Sequence, residues 1–437
     1  MTTAVDDASG VRLTVPEGWV QLPPEETGAL VLAPADWPED YGFRPNLSVL
    51  VSPPSSPAPS IQSVGSVTAA GAAAVDGARV LAYDLWPAPG DRWGRRVVFA
   101  HVVDTTCLVV VQWVLVEDGR TVTVTGTVDT DRYLRVMPAF DEALTGLELP
   151  EFPRDVEPVQ EEVLEPRRDP FLAELGEDLE DLSGFAGEDP WSPAGPEIGR
   201  PGLDLLVRAA NDQLDTRHLD ESGRQALARM TAVGLLDERG GLTDDGHHVV
   251  GVMRRADHHV RVEATCGLAP FTFDAYSAGD RTVVLAGVSP VGWAGSRAPG
   301  ADIAMMAQRV WVDTMPTSVL PLELARWLGL RPAWSLAVSP ATLPLATLTA
   351  RVDDPDTPVP EGADVRLQRA WREPWFLWSI RTAAGPTAAS EPPGTVGVNA
   401  GDAGFFLLSA TEDQESAALQ AWPSEAVWGR LLTLCLG

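Results

Sequence analysis

The pattern of apolar and polar positions divides the chain into two folded regions. Between residues 79 and 129, β-branched runs such as TTCLVVVQWVLVE alternate with turn sequences such as PAPGD and EDGR. Such runs, joined by short turns, predict an antiparallel meander. Upstream, VRLTVPEGWVQL and NLSVLVS predict strands, and IQSVGSVTAAGAAAV predicts a helix. Apolar residues recur at helical spacing from Tyr133 to Leu147, so a helix is predicted to close this region.

The second region shows one order of elements twice. GLDLLVRAANDQL, ESGRQALARMTAVGLL and DDGHHVVGVMRRAD predict helices, and HHVRVEATCG, FTFDAYSA and RTVVLAGVSPVGW predict strands. The helix TSVLPLELARWLGL follows, then the predicted strands ATLTARV and ADVRLQRAWREPWFLWSIRT, a hairpin around AGDAG and the closing helix PSEAVWGRLLTLCL. A meander followed by a helix therefore occurs twice, which suggests a duplicated unit that shares one sheet.

These patterns predict an α+β protein of two domains. Residues 1–150 are predicted to form an N-terminal α/β/α sandwich with an antiparallel sheet, and residues 201–437 a pseudo-duplicated domain of sheet and helices. Residues 151–200 are predicted to be an acidic, Pro-rich linker, because their composition opposes a packed core and their charges repel one another. Within this linker, DPFLAELGEDLEDLSGF is either a helix docked on its own domain or an amphipathic motif offered to a partner.

The negative charge of the chain argues against nucleic-acid binding. The formal net charge is −30, and each of the three segments, 1–150, 151–200 and 201–437, is acidic. Sequence-independent affinity for DNA needs clustered basic residues. Residues 230–250, MTAVGLLDERGGLTDDGHHVV, are similar to the helix–turn–wing element of small DNA-binding domains. Four acidic residues stand where a wing would carry Arg: Asp237, Glu238, Asp244 and Asp245. We therefore predict instead a helix–turn–helix connection packed within the second domain.

No recognised catalytic or metal motif accompanies the reactive side chains. The pairs His247–His248 and His258–His259 lack the companions of a zinc site. Ser296 lies among glycines in GWAGSRAPG, without the spacing of a nucleophile elbow. The three scattered cysteines predict buried free thiols: Cys107, Cys266 and Cys435. We therefore predict a protein that is not an enzyme and has no catalytic residues, no metal and no cofactor.

An aromatic cluster offers the candidate binding residues. REPWFLWS and the strand that contains FF place several aromatic residues near one another, with an arginine at their edge: Arg372, Trp375, Phe376, Trp378, Phe405 and Phe406. In a fully covered sheet these aromatic side chains are ordinary core. On an open sheet face they would form an apolar patch for a partner.

Residues 10–149 resemble LpqN-type domains. The resemblance is carried by VPEGW near the start, by an EDGR turn followed by a glycine, and by a closing helix that contains Tyr133 and FDEAL. It implies the compact PsbP-like α/β/α sandwich common in actinobacterial proteins. Such domains are mostly accessory or bind other proteins, and the resemblance supplies no catalytic set.

Residues 201–437 are similar in pattern to the EspG family of type VII secretion chaperones. The matching stretches are GLLDERGGLT, MRRADHHVRVEA, FDAYSAGDRTVVLAGV, LPLELARWLGL and the end of the chain from VNAGDAGFFLLSA. The resemblance implies a cytosolic binding protein that captures helical-hairpin secretion substrates of the PE/PPE or WXG type. The anchors do not map the family's contact positions residue by residue, and the preceding domain and linker depart from the single-domain form of the family.

The expected protein is therefore a cytoplasmic adaptor or chaperone for type VII, ESX-like secretion. The N-terminus lacks the features of a secretion signal, and the apolar runs are shorter than a membrane span, so no membrane insertion is predicted. The sequence leaves open a homodimer. Two other functions also remain open: a scaffold subunit of a larger assembly, and an enzyme whose site is not recognised.

Overall fold

The computed structural model describes residues 2–23, 29–38, 41–153, 156–186, 191–267, 269–294, 305–334, 341–385, 394–412 and 415–437. The chain forms two compact units. The first unit is Met1–Glu188 with Arg331–Trp334, and the second is Asp189–Leu330 with Ser335–Gly437.

An antiparallel sheet of seven strands forms the centre of the first unit, in the order β3-β4-β5-β10-β9-β8-β7. These strands are β3 (Trp19–Gln21), β4 (Leu30–Pro34), β5 (Asn46–Val51), β7 (Arg79–Ala88), β8 (Arg92–Val103), β9 (Thr106–Glu117) and β10 (Arg120–Asp129). Two small sheets accompany it. One pairs β1 (Thr2–Val5) with β2 (Arg12–Val15), and the other pairs β6 (Ser55–Ser56) with β11 (Val159–Gln160) in parallel.

Two helices cover opposite faces of this sheet. Helix α1 (Ile61–Ala73) shares a buried cluster with Val110, and helix α2 (Tyr133–Thr145) places Phe140 against Trp113 with ring centroids 6.1 Å apart. Val110 and Trp113 are three residues apart on β9, so their side chains point to opposite faces. Gly126 makes room for α2, since a Cβ there would lie 2.6 Å from the Phe140 ring. The mixed α+β class with antiparallel sheets is thus as predicted.

The acidic segment that follows this sandwich is packed rather than free. Its residues 156–186, which we call the strap, contain β11 and helix α3 (Pro170–Glu174), and buried leucines anchor it: Leu172, Leu179 and Leu182. The prediction of a linker without a packed core is therefore wrong for these residues. Composition correctly indicated a charged exterior, but it did not show that these three leucines are buried. Of the two interpretations of DPFLAELGEDLEDLSGF, docking on its own unit describes the structure.

A nine-stranded antiparallel sheet forms the second unit, in the order β15-β14-β13-β12-β17-β18-β19-β20-β16. Its first half is β12 (His258–Cys266), β13 (Ala269–Ala278), β14 (Arg281–Ala286) and β15 (Trp311–Pro316). Its second half is β17 (Phe376–Ala384), β18 (Thr395–Asn399), β19 (Phe405–Ala410) and β20 (Ser416–Trp422), with β16 (Ala341–Pro344) at the edge.

The order of these strands supports the predicted duplication. Each half runs outward from the centre as a four-stranded meander, and the first strands of the two halves, β12 and β17, pair antiparallel. Helix α6 (Asp244–Arg255) precedes the first meander and α7 (Leu320–Trp327) follows it. Helix α9 (Val365–Arg372) precedes the second and α10 (Ser424–Leu436) follows it, and α7 contacts α10. The remaining helices are α4 (Gly199–Ala210), α5 (Glu221–Ala232) and α8 (Leu345–Asp353).

The helix–turn–helix stretch packs inside the second unit, as predicted. Helix α5 is followed by a β-bridge between Leu236 and Leu242, and Thr243 caps α6 by accepting a hydrogen bond from the Gly246 amide. Met230, Leu235 and Leu236 are buried in one cluster with α4, α5 and α6. The connection is therefore part of the core of this unit.

Buried carboxyl groups predict how stability depends on pH. Burial raises the pKa of Asp84, Asp129 and Asp141 in the first unit. A carboxyl group whose pKa is raised by folding binds more protons in the folded than in the unfolded state, so these groups favour the folded state increasingly as the pH falls towards their pKa values. Neutralisation of part of the net charge of −30 acts in the same direction.

We therefore expect a higher thermal midpoint at pH 5 than at pH 7.5 in low salt. Differential scanning calorimetry at both pH values, repeated in 1 M NaCl, separates the two causes. Salt screens the net-charge contribution and leaves the contribution of buried groups. A midpoint that is constant or falls on acidification would contradict this expectation.

Candidate functional site

The two faces of the central strands in the second unit differ in burial. On β12, Val260, Val262 and Ala264 are buried, whereas Arg261 and Glu263 between them are only half-buried. Strand register places Phe273 of β13 and Ile380 of β17 beside Val262, and both are buried as well. We call the face of Val262 the closed face and the face of Arg261 the open face.

Helices α7 and α10 cover the closed face. The Trp327 ring of α7 lies 5.6 Å from the Phe273 ring, between centroids. On α10, Arg430 donates its Nε–H to the hydroxyl of Thr395, which pairs with Ile380 on this face. The core of the second unit therefore lies between the sheet and these two helices.

An ion network of four charged side chains, with one histidine at its edge, occupies the centre of the open face: His259, Asp274, Arg261, Glu263 and Arg381. The Arg261 Nε donates to the Glu263 carboxylate at 3.0 Å, and the Arg261 Nη1 lies 3.7 Å from Asp274 Oδ1. The other Glu263 oxygen lies 3.4 Å from Arg381 Nη1. His259 Nε2 lies 3.1 Å from Asp274 Oδ1. The network therefore crosses the strands β13, β12 and β17.

Glu263 is the central member of this network. Arg261 and Arg381 are direct cross-strand partners, and like charges in that position repel each other. Glu263 contacts both guanidinium groups and so compensates this repulsion. Burial lowers the pKa of Arg261, but the Asp274 and Glu263 carboxylates outweigh it and raise that pKa. The side chains of Arg261 and Glu263 are 37% and 36% exposed, so a partner can reach them.

The network becomes more rigid towards β13. His259 is buried and stacks on Tyr276 with ring centroids 4.2 Å apart. Burial, followed by the neighbouring Asp274 charge, raises the pKa of Tyr276 to about 12. The phenol therefore stays neutral at physiological pH. This end of the network is fixed by packing, whereas Arg261, Glu263 and Arg381 face solvent more.

Helical layers stand on either side of the network. Helices α4, α5 and α6 form an apolar cluster with Val283 and Leu285 on the open face of β14, and this cluster reaches Tyr276 on β13. Helices α8 and α9 form a second cluster with Phe406 and Leu419, and it reaches Leu377 on β17. The strip between β13 and β17 is two strand spacings, about 10 Å, wide. An α-helix with its side chains is about 10–12 Å across.

The structure corrects the predicted apolar patch. All five aromatic residues are at most 4% exposed: Trp375, Phe376, Trp378, Phe405 and Phe406. Phe376, Trp378 and Phe405 share the closed face, and Trp375 and Phe406 belong to the cluster with α8 and α9. Arg372 alone is exposed, at the end of α9. These aromatic side chains are core because helices cover both surfaces on which they lie.

Trp378 shows how completely this core is filled. Its ring stacks on Trp422 with centroids 5.9 Å apart and an interplanar angle of 11°. Gly397 lies against it, and a Cβ there would come within 2.6 Å of the indole. Trp378 therefore has a packing role in this structure.

The two histidine pairs lie in different environments. His247 and His248 are exposed on α6, and His258 Nε2 lies 2.8 Å from the Leu434 carbonyl oxygen. Among the described residues, no group of three or more His, Cys, Asp or Glu side chains could hold a metal ion.

The described helices include none whose length and hydropathy would suit a membrane crossing.

Sequence reasoning missed the open face, although its signal is visible. In HHVRVEATC, polar residues alternate with Val and Ala, and FTFDAYSA shows the same alternation. A period of two predicts one apolar and one polar sheet face. Which polar residues meet across strands depends on the register between β12 and β17, which are more than a hundred residues apart in sequence.

Comparisons with known proteins give only distant structural likenesses. No family model matches the chain, and no curated protein matches it either. LpqN of Mycobacterium tuberculosis, described as involved in cell envelope biogenesis, matches with 15% identity and a TM-score of 0.29, over 34% of this chain and 90% of LpqN.

Two further solved structures are similar over the same share of the chain. PsbP (CyanoP) of Synechocystis sp. PCC 6803 matches with 17% identity and a TM-score of 0.27, over 34% of this chain and 92% of that chain. The Ran-binding protein Mog1p of Saccharomyces cerevisiae matches with 10% identity and a TM-score of 0.26, over 34% of this chain and 94% of that chain. The neighbours thus include LpqN and PsbP-like folds at low identity and partial coverage.

Proposed function

We propose that this protein is a non-enzymatic adaptor or chaperone that binds a helical segment of a partner protein on the open face of its second unit. The observation that carries the proposal is the ion network on that face, half-exposed between two helical layers. The distance from β13 to β17, about 10 Å, is close to the diameter of one helix.

The chemistry of the open face suits recognition more than stabilisation. Ion pairs exposed to this degree contribute about 0–1 kcal/mol each to stability. Their charges, however, are held on paired strands whose backbone is fixed by hydrogen bonds to both neighbours. Fixed charges of both signs favour a partner with complementary charges in the same register and disfavour others.

The partner proposed is a helical-hairpin substrate of a type VII, ESX-like secretion system, of the PE/PPE or WXG kind. Support for this class comes from the resemblance of the second unit's sequence pattern to the EspG family, from GLLDERGGLT to the closing helix. A helical hairpin presents a helix of the width that the strip accommodates. The cytoplasm is the corresponding location, since such substrates are captured before export.

Affinity capture of the tagged full chain from its native cytosol tests this function. We expect small helical-hairpin proteins to be recovered in near-stoichiometric amounts and identified by mass spectrometry. Recovery of a large multi-protein assembly instead would support a scaffold subunit and contradict the chaperone function. Recovery of no protein at all would also contradict it.

A further inference from the structure

A buried ion pair joins the strap to the sheet of the first unit. The Arg95 guanidinium contacts both oxygens of the Glu180 carboxylate, at 2.8 and 3.1 Å. The Tyr83 hydroxyl donates a hydrogen bond to the same carboxylate at 2.7 Å. The side chains of Arg95 and Glu180 are 3% and 1% exposed. Arg95 and Tyr83 come from the sheet, whereas Glu180 comes from the strap.

The sheet side of this contact forms a shaped groove. Tyr83 and Arg95 lie beneath α1 at Gly65, where a Cβ would overlap the Tyr83 hydroxyl. Val80, Val97 and Phe99 form an apolar floor beside them, on which Leu182 of the strap packs. The groove thus combines one cation and one hydroxyl donor with an apolar surface. A segment that presents a carboxylate next to a leucine side chain therefore fits this groove.

The strap segment that lies on this groove is held in shape by its own hydrogen bonds. Its backbone closes on itself, since the Asp169 amide donates to the Leu179 carbonyl at 2.9 Å and the Asp181 amide to the Arg167 carbonyl at 2.8 Å. Asp169 caps α3 by accepting from two amides of that helix. Trp334 of the same unit donates its indole N–H to the Glu180 carbonyl at 2.7 Å.

The strap also borders a cleft. A cleft of about 260 Å³ lies between the strap and the start of α1, with Ser60, Gln62, Val163 and Asp178 among its lining residues. A buried ion pair generally stabilises a fold no more than apolar side chains of the same volume would. The Glu180 carboxylate accepts from Arg95 Nε and Nη2, while Nη1 donates to the Gly94 carbonyl.

We propose that the Arg95 groove is a binding site for acidic, leucine-containing protein segments, and that the strap is its intramolecular occupant. A segment of another protein with the same chemistry competes with the strap for this groove. The tether gives the strap an effective concentration in the millimolar range, so the groove is closed to dilute competitors. This site lies in the first unit and does not depend on the function proposed for the second.

A charge-reversal experiment on the full chain tests the proposal. Glu180→Arg opposes Arg95 and releases the strap from the groove. The probe is a fluorescein-labelled synthetic peptide of residues 167–186, RRDPFLAELGEDLEDLSGFA. We expect the Glu180→Arg protein to bind this peptide at least tenfold more tightly than the wild type, as measured by fluorescence anisotropy. The same peptide with Gln in place of Glu180 should bind at least tenfold more weakly.

A compensating variant provides the matched control. Arg95→Glu combined with Glu180→Arg re-forms the ion pair with exchanged charges, so its groove should be closed and should not bind the wild-type peptide. A folded Glu180→Arg protein that fails to bind the peptide would overturn the proposal. Equal binding of the Glu and Gln peptides would overturn it as well.

Hydrogen exchange of the wild-type protein keeps the proposal testable if Glu180→Arg does not fold. A displaceable strap opens without its sheet, so the amides of Asp169 and Asp181 should exchange at least tenfold faster than those of β8 and β9. Equal exchange rates for strap and sheet would mean that the strap opens only when the whole unit unfolds, and the proposal would be wrong.

Discussion

Trp378→Ala is expected to lower the free energy of unfolding of the second unit by about 3–5 kcal/mol. The indole is 1% exposed, stacks on Trp422 and fills the space beside Gly397. Its removal leaves a cavity that the paired strands on either side cannot close. Urea denaturation followed by circular dichroism measures the loss.

The control for this variant is Trp93→Ala, which removes the same side chain from a site that is 61% exposed. We expect it to change stability by no more than about 0.5 kcal/mol. A Trp378→Ala protein that keeps wild-type stability but loses its partner would contradict the core role of Trp378. Such a result would restore the apolar patch that the sequence suggested.

Phe140→Ala is expected to destabilise the first unit by a similar amount, about 3–5 kcal/mol. Phe140 is fully buried, and its ring lies 5.8 Å from that of Trp19 and 6.1 Å from that of Trp113. It also packs on Gly126, so it joins α2 to three strands of the sheet. The thermal unfolding transition of the first unit, followed by circular dichroism, reports the effect.

Leu134→Ala on the same helix is the matched control, because Leu134 is 47% exposed. Its expected effect is within about 0.5 kcal/mol. Equal effects of the two variants would mean that α2 does not pack on the sheet through Phe140, and the sandwich described for this unit would be wrong.

Local pattern was sufficient for most elements of both units, but it predicted strands for ATLTARV and ADVRLQRAW, where the structure has helices α8 and α9. The helical spacing from Tyr133 to Leu147 predicted α2, and the β-branched runs predicted the meander β7 to β10. The strap was not predicted, because composition dominates a short acidic segment and its few leucines gain stability only on a particular groove. Arg95 and Glu180 are 85 residues apart, and neither neighbourhood indicates the other.

The candidate site depended on information that a single sequence does not contain. Trp375 and Phe406 were recognised as close in space but were assigned to an exposed face, since a strand pattern does not reveal which face a helix covers. Helices α8 and α9 cover these two side chains, and the sequence pattern had assigned the segments of both helices to strands. The polar alternation in β12 was visible, but its meaning depended on the long-range pairing with β17 that brings Arg261 to Arg381.

Partner binding by a charge-reversed open face tests the central claim most directly. The measurement compares the affinity of the captured partner for wild-type protein, for Glu263→Arg and for the matched variant Glu221→Arg, by isothermal titration calorimetry. Glu221 forms an ion pair with Arg224 on α5 and does not belong to the ion network. If the open face binds the partner, Glu263→Arg weakens binding at least tenfold and Glu221→Arg leaves it unchanged. Equal affinities of all three proteins would contradict the account.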